Sequence, residues 1–195
     1  MMNRTIIKPV AVLGGISAIM AMMLGFVHYS TLKPIAAAQN AKILAAISEV
    51  AGEFDNDPYA EKQLITTPDK KQKFEMYPAR LDGKLNAVAI KSYTNTGFGG
   101  RIDLMTGFNV DGSIKTFKII SSNETPGLGS KTDEPRFKSQ LNGFHPQKQI
   151  LKVRQDGGDV DAVTAATISS RAVLRAIERA FAAFHNFNSR GDDDK

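Results

Sequence analysis

The stretch DAVTAATISS, residues 161–170, sets Thr164, Thr167, Ser169 and Ser170 close together just before a strongly helical run. Two chemistries suit hydroxyls placed there. Ser169 or Ser170 can cap the helix by accepting from its free backbone N–H groups. A helix N-terminus also attracts phosphate through those same groups and its positive dipole end, so a phosphate beside Thr167 is allowed. Capping logic alone favours the plain cap. A second stretch, SSNETPGLGSK (121–131), holds two glycines and a proline between Glu124 and Lys131. Such a backbone can approach a ligand closely with N–H groups turned toward it, although glycine content by itself reads more often as a surface turn. TNTGFGGRI (94–102) is a further Gly-rich turn, without the strand–turn–helix context or the downstream acid of a dinucleotide fingerprint.

Composition removes several alternatives. The 195 residues contain no cysteine, which excludes disulfides, thiolate-bound iron–sulfur clusters and a cysteine nucleophile. His28, His145 and His185 lie far apart and share no ligand-like spacing, so no metal site is expected. The net charge of +5 is spread along the chain rather than gathered in an arm, so no nucleic-acid partner is expected.

These loops must be held by the elements around them. From Val10 to Val27 the chain reads VAVLGGISAIMAMMLGFV with no charge. As a helix this rises about 27 Å, close to the hydrocarbon thickness of a bilayer. Arg4 and Lys8 on the short leading side predict a cytoplasmic N-terminus with the rest of the chain sent across. Ala36-Ala37-Ala38 offers a signal-peptide cleavage pattern, but the apolar run is longer than a signal's core, which favours a retained anchor. IAAAQNAKILAAISEVAG continues as a helix, with Ile43, Leu44, Ile47 and Val50 at helical spacing and Gly52 as its stop. Residues 53–73 read as linker or peripheral loop.

The main domain is expected from Phe74. LNAVAIKSY alternates as a strand, and an Asp111-Gly112 pair between two alternating runs predicts a hairpin. PRFKSQLN (135–142) reads as a short helix burying Phe137 and Leu141, and QILKVRQ as a strand. Val173, Leu174, Ile177, Phe181 and Phe184 share one face of a final amphipathic helix. The fold class is α+β, with an antiparallel sheet and flanking helices.

DAVTAAT at 161–167 resembles the flavinylation motif of membrane-anchored FMN-binding domains. That motif is an Asp, two variable residues, Ser or Thr, usually Gly, then Ala-Thr. With ETPGLG (124–129) and GFGG (97–100), the chain is similar to the G subunit of the Rnf (Rsx) electron-transport complex, over the anchor and from about Lys84 to Phe184. The resemblance implies an FMN joined through its phosphate to the hydroxyl of Thr167. A separate flavin transferase would make that phosphoester from FAD, with the metal ion in the transferase. It implies flavin contacts from Glu124, Thr125, Leu128 and Gly129, a weaker one from Lys131, and Thr164, Ala165 and Ala166 around the phosphate. The sequence departs from the family at Ala165, where the usual residue is Gly.

On this reading residues 1–8 are a cytoplasmic tail, 9–30 a transmembrane helix, 31–73 a helical stalk and linker, 74–187 an FMN-binding domain and 188–195 an appended tail. The expected role is an electron relay between ferredoxin and NAD, coupled to ion transport and made with the complex's other subunits. The setting implied is the plasma membrane of a bacterium or archaeon, with the FMN domain on the extracytoplasmic side. Two alternatives remain. One is the related C subunit of the sodium-pumping NADH:quinone reductase. The other is a non-redox membrane-anchored scaffold, which predicts a colourless protein.

Overall fold

The structure, a computed structural model, describes residues 4–69 and 71–193. They form two compact units divided between Lys42 and Ile43, with helix α1 (Arg4–Ala51) crossing the division. In the first unit α1 exposes apolar side chains all round, among them Leu24 and Phe26. Among the described residues it is the one helix long and apolar enough to span a membrane, and none of its most apolar stretch is buried inside the protein.

The second unit is built on a five-stranded antiparallel meander, in the order β1 (Gln63–Thr66), β2 (Lys73–Leu81), β3 (Lys84–Gly97), β4 (Gly100–Asn109) and β5 (Ile114–Ser122). The β4–β5 hairpin turns at Asp111-Gly112 as the sequence predicts, with Gly112 at φ +85°. The short helix falls at α2 (Pro135–Lys138), continued by a 3-10 turn at Ser139–Leu141, and buries Phe137 and Leu141. The last helix, α3 (Thr167–Asp193), takes in the expected amphipathic run and continues through residues 188–193.

Strand periodicity gives the sheet two buried faces of different character. On one, Phe74, Ile90, Leu104, Phe108 and Phe117 meet α3 through Val173, Leu174, Ile177 and Phe184. Phe108 stacks on Phe184 with ring centroids 5.4 Å apart. On the other, Tyr77, Ala79, Ala87, Ala89 and Met105 meet Ile47, Val50 and Ala51 from the last turns of α1. Gly107 makes that approach possible, since a Cβ there would lie 2.1 Å from the Val50 carbonyl oxygen. The Lys115 ammonium donates to the Ala51 carbonyl at 2.6 Å, satisfying one of the orphan acceptors at the helix's end.

Three readings change. β1 and the first residue of β2 lie in the stretch read as linker, and β2 itself carries Pro78. Proline removes a ladder donor, but pairing with β1 ends at Met76, so Pro78 sits where that flank has no strand partner. Asn56 covers the open edge there, donating to the Pro78 carbonyl at 3.0 Å and accepting from the Arg80 amide at 2.9 Å. QILKVRQ forms no strand. It folds back on itself through a single Val153–Val160 bridge and a 3-10 turn at Arg154–Asp156, closed by Gly157 at φ +77°. The serine caps of α3 are the third change and bear directly on the site.

Candidate functional site

Three separately encoded segments converge: the β3–β4 turn at 97–100, the loop after β5, and the first turn of α3. The loop winds tightly, with the Leu128 amide on the Thr125 carbonyl at 3.1 Å and the Gly127 amide on Ser130 Oγ at 2.9 Å. Glycine is required where the segments touch. A Cβ on Gly99 would lie 2.1 Å from the Asn123 carbonyl oxygen, and one on Gly129 would lie 2.2 Å from Glu124 Oε2.

Neither serine caps α3. Ser169 Oγ donates to Glu124 Oε2 at 2.7 Å, in a buried contact. Ser170 Oγ accepts from the Val163 amide and donates to the Ala166 carbonyl, each at 3.0 Å, which folds the approach segment onto the first turn. The caps fail because both hydroxyls lie inside the helix and are committed to neighbouring segments. The first i−4 bond belongs to the Ser170 amide, on the Ala166 carbonyl at 2.9 Å. Among the described residues the amides of Thr167, Ile168 and Ser169 therefore have no acceptor, and the Thr167 hydroxyl has no partner. Free N–H groups at the positive end of a 27-residue helix suit an anion.

A cavity of about 340 Å³ opens between the three segments. Of the residues picked from the sequence, Glu124, Thr125, Leu128, Gly129, Ala165, Ala166 and Thr167 line it. Lys131 and Thr164 do not. They line a neighbouring cavity of about 540 Å³ with Arg136, Gln140 and Asp161. Sequence reasoning missed Phe98, Ile168 and Ser169 as wall residues. Phe98 had a signal, because a large aromatic at the tip of a glycine turn has no core to enter, and it is 71% exposed.

The approach segment is fixed from outside. The Gln140 side chain accepts from the Asp161 amide at 2.7 Å and donates to the Asp161 carbonyl at 3.2 Å, while Arg154 pairs with the Asp161 carboxylate at 2.7 Å. Between Thr164 and Thr167 the backbone turns through Ala165 at φ +62°. That is the left-handed region, which an L-residue with a side chain enters at a cost of about 1–2 kcal/mol. The family's glycine would take the same turn without that cost.

The arrangement offers a free hydroxyl and free amides at one end, and apolar side chains from Phe98, Leu128 and Ile168 at the mouth. A phosphate suits the first and a flat aromatic ring the second, so the donor set fits a flavin mononucleotide. A family model described as an FMN-binding domain matches residues 97–182. The G subunit of the ion-translocating oxidoreductase complex of Vibrio atlanticus is 32% identical over 164 residues, covering 78% of this chain and 78% of its own length. Its counterpart in Cereibacter sphaeroides is 34% identical over 180 residues, covering 88% of this chain and 81% of its own. Among solved structures, NqrC of Shewanella oneidensis is similar with a TM-score of 0.51 and 25% identity, over 70% of this chain and 74% of that one.

Proposed function

Because the chain belongs to the family formed by the G subunits of ion-translocating oxidoreductase complexes, we propose that it is the FMN-carrying electron-transfer subunit of such a complex, with the cofactor attached to Thr167. The observation that carries this reading is the uncommitted Thr167 hydroxyl in the wall of the cavity, beside amides without acceptors. In loading, Thr167 Oγ would displace AMP from the FMN phosphorus of FAD, breaking the pyrophosphate bond, with the hydroxyl proton passing to the transferase. Bound FMN supplies one- and two-electron chemistry. The protein's own residues would seat the phosphate at the start of α3 and offer Leu128, Ile168 and Phe98 to the ring. Thr125 and Gly129 complete the wall, Ala165 and Ala166 carry the backbone around the phosphate, and Thr164 and Lys131 stand outside it.

In the cell the subunit would relay electrons between ferredoxin and NAD with the other subunits of its complex. Residues 9–30 would cross the membrane from a cytoplasmic tail and place the 74–187 domain on the extracytoplasmic side. There a covalent cofactor cannot be lost to dilution. Mass spectrometry of the peptide bearing Thr167, after co-expression with a flavin transferase, should find FMN on that residue. An unmodified peptide in a transferase-competent host refutes covalent loading. Thr167→Val should abolish in-gel flavin fluorescence, and surviving fluorescence would move the attachment elsewhere.

A further inference from the structure

Glu124 is 7% exposed and lies where the three site segments meet. Its two oxygens face different segments. Oε1 accepts from the Gly99 amide at 3.2 Å, in the β3–β4 turn, and Oε2 accepts from Ser169 Oγ at 2.7 Å, in the first turn of α3. Two glycines press on the same group, since Cβ atoms on Gly97 and Gly129 would lie 2.5 Å and 2.2 Å from these oxygens. A carboxylate engaged on both sides and walled by glycine backbone is built as a tie between segments. The resemblance drawn from the sequence makes Glu124 a flavin contact, and this geometry gives it other work.

We infer that Glu124 is a positioning residue: it acts through Ser169 to fix the turn that presents Thr167, and through Gly99 to fix the opposite wall of the cavity. The inference rests on the reading of Thr167 as the loading site. Ser169 is two positions from Thr167 in the same helical turn, so a shift of one moves the other. Small misplacements of a reacting hydroxyl lower turnover far more than substrate affinity. The tie also couples the β3–β4 turn to the start of α3, so loosening one end should be felt at the other.

The test uses the full chain in detergent, with Ser169→Ala, Glu124→Gln and the double variant, each checked for wild-type thermal unfolding. Transferase and FAD give loading kinetics, and hydrogen exchange of the apoprotein follows the peptide spanning 97–100. Each single variant should lower the kcat of loading by about tenfold with the KM for FAD unchanged. Each should also speed exchange at 97–100, and the double variant should be no worse than either single one. If Ser169→Ala matches wild type in both measurements, or if the two effects multiply, the tie is overturned. The same holds if only Glu124→Gln acts and does so through the affinity for free FMN measured in a Thr167→Val background, because that is a direct contact. Should Glu124→Gln fail to fold, Ser169→Ala decides alone. A wild-type chain left unloaded counts against the loading site, and exchange at 97–100 in Ser169→Ala then still decides the tie.

Discussion

The two faces of the sheet are buried by opposite strategies. Against α3 the strands present large side chains, with Phe74, Ile90, Phe108 and Phe117 filling the space a helix leaves. Against the end of α1 they present Ala79, Ala87, Ala89 and Gly107 between Tyr77 and Met105, and at Gly107 the helix backbone comes down almost onto the strand. The first face gains its stability from apolar volume and tolerates shape changes only within that volume. The second gains from close approach, so adding a methyl there is the damaging change. The candidate site belongs to the large-residue side, where α3 is held firmly enough for its first turn to serve as a fixed platform.

The strongest way to break this contrast is truncation of the aromatic stack. Phe108→Ala removes a buried ring that packs on Phe184 and Phe181, and should cost about 3–5 kcal/mol in urea unfolding. On the small-residue face Ala87→Gly should matter far less, whereas Gly107→Ala must push the Val50 carbonyl away. Overpacking of this kind should cost about 1–3 kcal/mol, and protease sensitivity near Ala51 should rise. If Gly107→Ala were neutral, close approach would not be what holds α1 to the sheet.

A smaller effect has the opposite sign. Ala165→Gly relieves a left-handed backbone on the α3 side and should stabilise the protein by about 1 kcal/mol, read as a higher melting temperature. The last prediction concerns pH. Burial, then the hydrogen bond to Glu75, pushes the Tyr77 hydroxyl well above its ordinary value of 10.0. A group whose folded pKa is raised stabilises fully below its unfolded pKa and loses that contribution as pH climbs past it. Stability should therefore fall more steeply above about pH 10 in the wild type than in Tyr77→Phe. Parallel unfolding curves between about pH 9 and about 11 would remove Tyr77 from the account of the α1 face.

Much of the fold was legible because its signals are local. The Asp111-Gly112 hairpin, the amphipathic face of α3 and the uncharged run in α1 each announce themselves within one window of sequence. β1 and β2 did not, because a four-residue strand carries too little periodicity and Pro78 argues against a strand until the bare edge beside it is known. QILKVRQ misled in the other direction, having strand composition but no partner strand. In the site, Thr167 and the 124–129 loop could be picked out by their ordered residue types, while Ser169 was misassigned. A serine near a helix start looks like a cap until the long-range acceptor 45 positions away is placed beside it.

By itself the sequence determined the long apolar helix, the antiparallel α+β domain, and the pairing of a glycine loop with a hydroxyl-rich helix start. Those follow from periodicity, turn residues and composition, which act between neighbours along the chain. Only the tertiary structure decided that Glu124 faces inward, that Lys131 and Thr164 line a separate cavity, and that Ala165 holds a backbone angle suited to glycine. Each of those depends on which distant segments fold against one another, and so on contacts that no stretch of the chain contains alone.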